Sequence, residues 1–177
     1  MTQPGSATGP ASVPAPGTYR LDPQRSTIRA DVKAMFGLFT VHGTFRLRTG
    51  EVSIAKDPAG SSVQVSIDAG SFASGIAARD KDVVSAALLD ASAYPEITFS
   101  SEAARQEGTD WVVPGSVTAH GTTSAVEVRV RDAHVADGVA HFQAVARLDR
   151  TSFGLTKKKG MVGRTVDLTI DAVGLLA

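Results

Sequence analysis

The 177-residue sequence contains no cysteine. That excludes a disulfide framework and any thiolate metal site. It also lacks an excess of charge of either sign, since 18 basic side chains meet 18 acidic ones for a formal net charge of +0. Such a balance argues against nucleic acid or an anionic membrane surface as the main partner. No apolar run approaches the length of a membrane span. Residues 1–17 carry no charge and four of the eight prolines, with neither the basic start nor the apolar middle of a secretory signal. They are expected to form a disordered tail ahead of one domain over residues 18–177. The missing signal points to the cytoplasm.

Signatures of chemistry are missing as well. His42, His120, His134 and His141 show no metal-ligand spacing. No Gly-x-Ser-x-Gly elbow occurs, and no serine has an evident base nearby. The carboxylates mostly occupy outward phases of strands, and no glycine-rich phosphate loop opens a helix. The sequence therefore predicts no catalytic residue, no metal and no cofactor.

What is present is alternation. In residues 124–155, Val126, Val128 and Val130 alternate with Glu127, Arg129 and Arg131. Successive strand side chains point to opposite faces, so one face is buried and the other wet. Asp137-Gly138 supplies a tight turn. The chain then returns with Phe142, Ala144, Ala146 and Leu148 on one face and His141, Gln143, Arg147 and Asp149 on the other. This is an antiparallel hairpin of two long strands.

The same pattern recurs along the chain. A short strand at residues 19–22 stops at Pro23. Residues 26–35 alternate Ile28, Ala30, Val32 and Ala34 against Arg29, Asp31 and Lys33. The strand from Val41 is expected to be interrupted at Gly50, and the one from Asp110 to be broken at Pro114-Gly115. Val63, Val65 and Ile67 face inward from another. Val166, Leu168, Ile170 and Ala172 do so near the C-terminus. One helical pattern stands among the strands: Ile76, Val83, Val84, Ala87 and Leu88 share a face, with Asp80 and Asp82 near its start. Roughly eight strands at hairpin spacing with one short helix predict an all-β fold, an antiparallel barrel or sandwich.

Two features bear on function. Ala30, Ala34, Ala144, Ala146 and Ala172 fall on inward phases, which leaves volume that a close-packed interior would not tolerate. Either Phe36, Phe39, Trp111 and Phe142 fill that volume or a ligand does. The residues 36–39, Phe-Gly-Leu-Phe, form either an aromatic plug or an apolar lip around an opening. The charged couples Arg79-Asp80 and Asp149-Arg150 sit at element ends. They predict an ion-pair cluster holding the helical segment to the last hairpin, or alternatively an arginine that meets a polar or anionic ligand head at the barrel mouth.

Several pieces together carry a resemblance. They are Tyr19-Arg20-Leu21-Asp22 with Ser26; Val41-His42-Gly43-Thr44-Phe45; Arg79-Asp80; residues 94–101, YPEITFSS; residues 115–123, GSVTAHGTT; and residues 149–155, DRTSFGL. In this order and spacing the chain resembles the YceI-like family of polyisoprenoid-binding proteins over about residues 17–177. The resemblance implies an extended eight-stranded antiparallel lipocalin-like β-barrel with a helix near one end. It implies a lumen for a long-chain isoprenoid or similar lipid, and binding, transport or storage rather than catalysis. Arg25 and Ala34 stand where many members carry histidine, so head-group contacts of those histidines do not transfer.

The expected ligand is a polyprenyl, quinone or fatty amphiphile. The candidate lumen residues are Val32, Ala34, Phe36, Phe39, Ile67, Ile76, Leu88, Phe99, Phe142, Ala144, Ala146, Phe153 and Met161, with the Phe36–Phe39 loop as one rim of the mouth. The rival is an interaction module: a filled barrel whose exposed apolar loop docks a partner or a second copy as a homodimer. An enzyme acting on a lipid inside the barrel is a further rival, but no inward acid, base or nucleophile supports it.

Overall fold

A computed structural model describes residues 13–158 and 161–177. Strands dominate it: β1 Gly17–Leu21, β2 Thr27–Ala34, β3 Phe39–Ile54, β4 Ser62–Ala73, β5 Glu96–Ser101, β6 Arg105–Glu107, β7 Asp110–Ala119, β8 Thr122–Ala136, β9 Val139–Asp149 and β10 Val162–Leu176. Among the described residues there is one α-helix, α1 Ala77–Val84, between β4 and β5. Eight strands, β2, β3, β4, β5, β7, β8, β9 and β10, pair antiparallel in that order, and β10 pairs with β2 to close the ring. The result is a closed lipocalin-like barrel. Closure removes the free strand edges that would otherwise template aggregation.

β1 and β2 share one position in the wall. Both lie between β10 and β3, β1 opposite Leu176 and Val52 and β2 opposite Ile170 and Phe45. The break falls at the Asp22–Ser26 turn, where Pro23 lacks the N–H that a wall strand must donate. The Ser26 hydroxyl repairs the ladder by accepting from Val173 N–H at 3.0 Å.

Two expected interruptions do not occur. β3 runs unbroken through Gly50, where a Cβ would lie 2.6 Å from Leu21; the glycine makes room for a neighbour rather than ending the strand. β7 runs unbroken through Pro114 and Gly115. Proline is tolerated because the neighbouring wall on that edge breaks between Ser101 and Arg105, and the Ser101 hydroxyl donates to the Pro114 carbonyl there. A tight turn forms at Asp137-Gly138, as the sequence predicts, and another at His120-Gly121, and both residues of each pair take positive φ.

Helix α1 spans eight residues, and none of its residues is fully buried. Asp80 ties it down by accepting from the Ser74 amide at 2.9 Å and hydroxyl at 2.6 Å. The apolar pattern that suggested a longer helix continues into turns at 85–94, where Leu88 is buried.

The expected tail boundary also moves. Gly17 already belongs to β1, and Pro14 is buried ahead of it. Residues 1–12 lie outside the described residues.

Candidate functional site: an apolar bore with one open end

Inward alternation on eight strands produces a cavity along the barrel axis. The centre of a water-sized sphere can range over about 200 Å³ of it. A single water needs only roughly 10–15 Å³ on that scale, so the space suits a ligand body. Among the described residues its wall contains no charged side chain; Ser26, Ser61 and Thr98 are its hydroxyl-bearing members. Two of those hydroxyls already serve the backbone. Ser26 accepts from Val173, and Ser61 accepts from Ala55 N–H at 3.1 Å.

The wall is built as the alternation requires. Val126, Val128 and Val130 on β8 face Ala144, Ala146 and Leu148 on β9 and Leu168, Ile170 and Ala172 on β10. The two alanines of β9 keep that side of the bore shallow. Phe99 on β5 pairs with Val117 and reaches its place because Gly115, two residues from Val117 on β7, has no Cβ, which would stand 2.6 Å from the ring.

One end of the bore is closed. Phe72 lies over Gly43, where a Cβ would meet its ring at 2.1 Å, and packs on Phe45 at 5.3 Å between centroids. Phe153, buried, packs with Val117, Ala119, Leu148 and Leu155 on the other side of the same end. The wall instead continues toward the opposite end, through Ile54, Pro58, Ala104 and Trp111, and includes Val13 and Pro14. The chain ahead of β1 thus lies across the open end. The Tyr19 phenol holds it there, donating to the Ala15 carbonyl at 2.8 Å, while its ring meets Phe142 edge-on.

The candidate lumen residues divide accordingly. Ile67, Phe99, Phe142, Ala144 and Ala146 line the cavity. Val32 and Ala34 have the inward phase of β2 but lie past the closed end, outside the cavity wall. Phe153 belongs to the plug rather than the lumen. Leu88 is buried beside the helical segment, away from the bore. Phe36, Phe39, Ile76 and Met161 are exposed at the surface. The Phe36–Phe39 loop is therefore not a rim of the mouth; it stands at the closed end, beyond Ala34 of β2.

The charged couples also resolve differently from the expected ion-pair cluster. Asp149 pairs with Arg164 at 2.6 Å and accepts from the Thr151 hydroxyl and amide. The Thr151 hydroxyl first, then Arg164, hold its carboxyl below the usual carboxylate range. Among the described residues Arg150 forms no ion pair with a carboxylate. It is buried and donates to four carbonyls, those of Leu155, Lys157, Val162 and Gly163. Burial lowers its guanidinium pKa from the ordinary value. The tie from helix to last hairpin is instead Lys158 to Asp82, and Asp80 is engaged by Ser74 rather than by Arg79.

The candidate lumen set left out Trp111, which the sequence offered only as a filler of the interior, and Val113, together with Val13 and Pro14 at the mouth and Phe72 at the closed end. The alternation of Trp111, Val113 and Val117 carried the first two; the others had no periodic signal.

A family model described as a YceI-like domain matches residues 19–174. Protein YceI of an Escherichia coli strain is 29% identical over 145 residues, 78% of this chain and 76% of that protein. The crystal structure of Burkholderia cenocepacia BcnA superposes with a TM-score of 0.78 at 25% identity, covering 86% of this chain and 98% of that one. A polyisoprenoid-binding domain from Saccharophagus degradans superposes with a TM-score of 0.69 at 16% identity, over 92% of this chain and 100% of that domain.

Proposed function

The chain belongs to the YceI-like family, and from that membership and the form of its bore we propose that it binds a single long apolar chain, an isoprenoid or similar amphiphile, and carries or stores it. The observation that carries the reading is the wall itself: apolar but for the Ser26, Ser61 and Thr98 hydroxyls, closed at one end, and without a charged side chain among the described residues. Each CH₂ taken from water contributes roughly 0.8 kcal/mol, so even a ten-carbon tail supplies about 8 kcal/mol before ordering costs. Such a wall offers nothing to a polar head. The head of an amphiphile would stay at the open end, near Pro58, Ala104, Trp111 and the Val13–Pro14 segment.

The same wall supports binding over turnover. A reaction on the lipid needs an acid, base or nucleophile in reach of it. The Ser26 and Ser61 hydroxyls are engaged by backbone amides, and none of the four histidines lies on the wall. The solved domain from Saccharophagus degradans, a polyisoprenoid-binding one, has this fold and suggests the polyprenyl class first, with quinones next. No separate cofactor is needed for this role.

Organic extraction of the purified protein followed by mass spectrometry tests the reading. A stoichiometric polyprenol, quinone or fatty amphiphile is the expected result. An empty extract, together with no thermal shift on adding polyprenols or quinones, overturns it.

A further inference from the structure

The closed end carries a feature that ligand binding does not use. Where β2 turns into β3, Phe36, Leu38 and Phe39 are 81%, 77% and 62% exposed. A turn with left-handed backbone favours glycine or asparagine, yet here Met35 and Phe36 take positive φ, 50° and 57°. The backbone accepts an unfavourable conformation, and its large apolar side chains still stand in water. Beside this tip runs the loop leading into β10. Met35 N–H donates to the Met161 carbonyl at 2.9 Å, and Met161 is itself exposed.

Basic side chains surround the tip. Lys33, Phe36, Gly37, Arg150 and Arg164 border one surface groove. Lys157 and Lys158 are exposed on the adjoining loop, which Arg150 organises through its four carbonyl contacts. Arg150 is buried, which leaves Lys33, Lys157, Lys158 and Arg164 as the exposed cations, and among the described residues two carboxylates answer them, Asp149 on Arg164 and Asp82 on Lys158. Asp31, farther down β2, is already engaged by Arg29 and His42. The zero net charge of the whole chain does not cancel this cluster. Charges act over a Debye length of about 8–10 Å, so a surface is felt locally.

We propose that this end of the barrel docks on an anionic phospholipid bilayer. Phe36, Leu38 and Phe39 enter the boundary between head groups and acyl chains, and Lys33, Lys157 and Arg164 meet the phosphates. Apolar side chains combined with flexible cations are what an anionic interface rewards. A second copy fits less well, because a two-fold contact would press the same basic rim against itself. An acidic protein would need a rigid pocket shaped to a protruding tip, whereas a fluid bilayer needs none. Docked this way, the protein turns the mouth of its bore away from the bilayer.

Flotation of the full chain with vesicles tests this. Vesicles of phosphatidylcholine with about one-third phosphatidylglycerol should carry at least about tenfold more protein than phosphatidylcholine alone, and added salt should reduce the difference. F36S/F39S and K33E/K157E, each melting as the parent does, should each lose most of the binding. In F36W the new indole should shift to the blue on anionic vesicles. Trp111, at the far end of the barrel, should not shift in the parent. Absence of flotation at low salt overturns the proposal, as does undiminished binding by both double variants. Concentration-dependent dimers without vesicles that F36S/F39S abolishes would assign the tip to a second copy instead, and flotation that requires an added acidic protein would assign it to that partner.

Discussion

The Tyr19 phenol donates to the Ala15 carbonyl at 2.8 Å, and this contact pins the chain segment that lies across the mouth of the bore. Tyr19 is itself anchored, 4% exposed and edge-on to Phe142. Removing the hydroxyl should leave the ring in place and free the segment. A net hydrogen bond contributes about 0.5–1.5 kcal/mol. Tyr19→Phe should therefore lower stability by no more than that and speed exchange of a bound fluorescent polyene lipid by up to about tenfold. Stopped-flow displacement measures it. Unchanged exchange in Tyr19→Phe and in a chain lacking residues 1–16 would show that the mouth segment does not gate entry.

Ala146→Trp tests whether the bore is occupied space or spare packing. Ala146 faces Val128 and Leu168 across its two neighbours and lines the cavity. If ligand occupies that space, the indole takes it, and binding should fall by tenfold or more while the ligand-free protein melts within a few degrees of the parent. Overpacking a filled core would instead cost about 1–3 kcal/mol. Arg147→Ala, which removes an exposed pair with Asp167, should change stability by less than about 1 kcal/mol. Calorimetry of the delipidated proteins separates these outcomes.

Arg150 should matter to the fold more than its charge suggests. Its guanidinium satisfies carbonyls of the loop after β9, Leu155 and Lys157, and of the start of β10, Val162 and Gly163, and it is 6% exposed. Arg150→Leu leaves those carbonyls without their donor, which should cost roughly 3 kcal/mol or more. Arg150→Lys should recover only part of that, since an ammonium cannot span the same four acceptors. Urea unfolding measures both. Loss below 1 kcal/mol in Arg150→Leu would mean that water replaces the guanidinium freely.

Acid should weaken the closed end. The Asp149 carboxyl is held below its ordinary value by Thr151 and Arg164. A group depressed in the folded state stabilises fully above its unfolded pKa, about 3.9 for aspartate, and loses that contribution as pH falls through the lower folded value. Asp31, favoured as carboxylate by His42 and Arg29 against the opposing effect of burial, adds in the same sense. Melting temperature should decline from about pH 5 downward, and Asp149→Asn should flatten that decline. A parallel acid limb in Asp149→Asn would assign the loss to other carboxylates.

The wall was legible in the sequence because strand alternation states which face a residue takes. Ala144, Ala146, Leu168 and Ile170 lie where their phase puts them. Alternation says nothing of height along the bore. Val32 and Ala34 have the right phase, but the plug of Phe72 and Phe153 ends the cavity before it reaches them. Nor does it speak for loops, where apolar character alone suggested Phe36, Ile76 and Met161 as lumen residues and the backbone turns them to the surface. A bulge between Val130 and Asp132 on β8 further resets the phase and brings Ala133 inward. Arg150 was visible as an arginine at an element end, but its partners are carbonyls, which carry no side-chain signature.

β1 pairs with the last strand, Tyr19 opposite Leu176, and the amide of Ala177 donates to the Thr18 carbonyl at 2.8 Å. β1, the first of these wall segments to be synthesised, thus waits for β10 before it has both neighbours. During synthesis the future bore is an open apolar sheet, and long-range closure of this kind is slow. The nascent protein therefore passes through a stage in which the apolar face of the future bore is exposed before the ring closes.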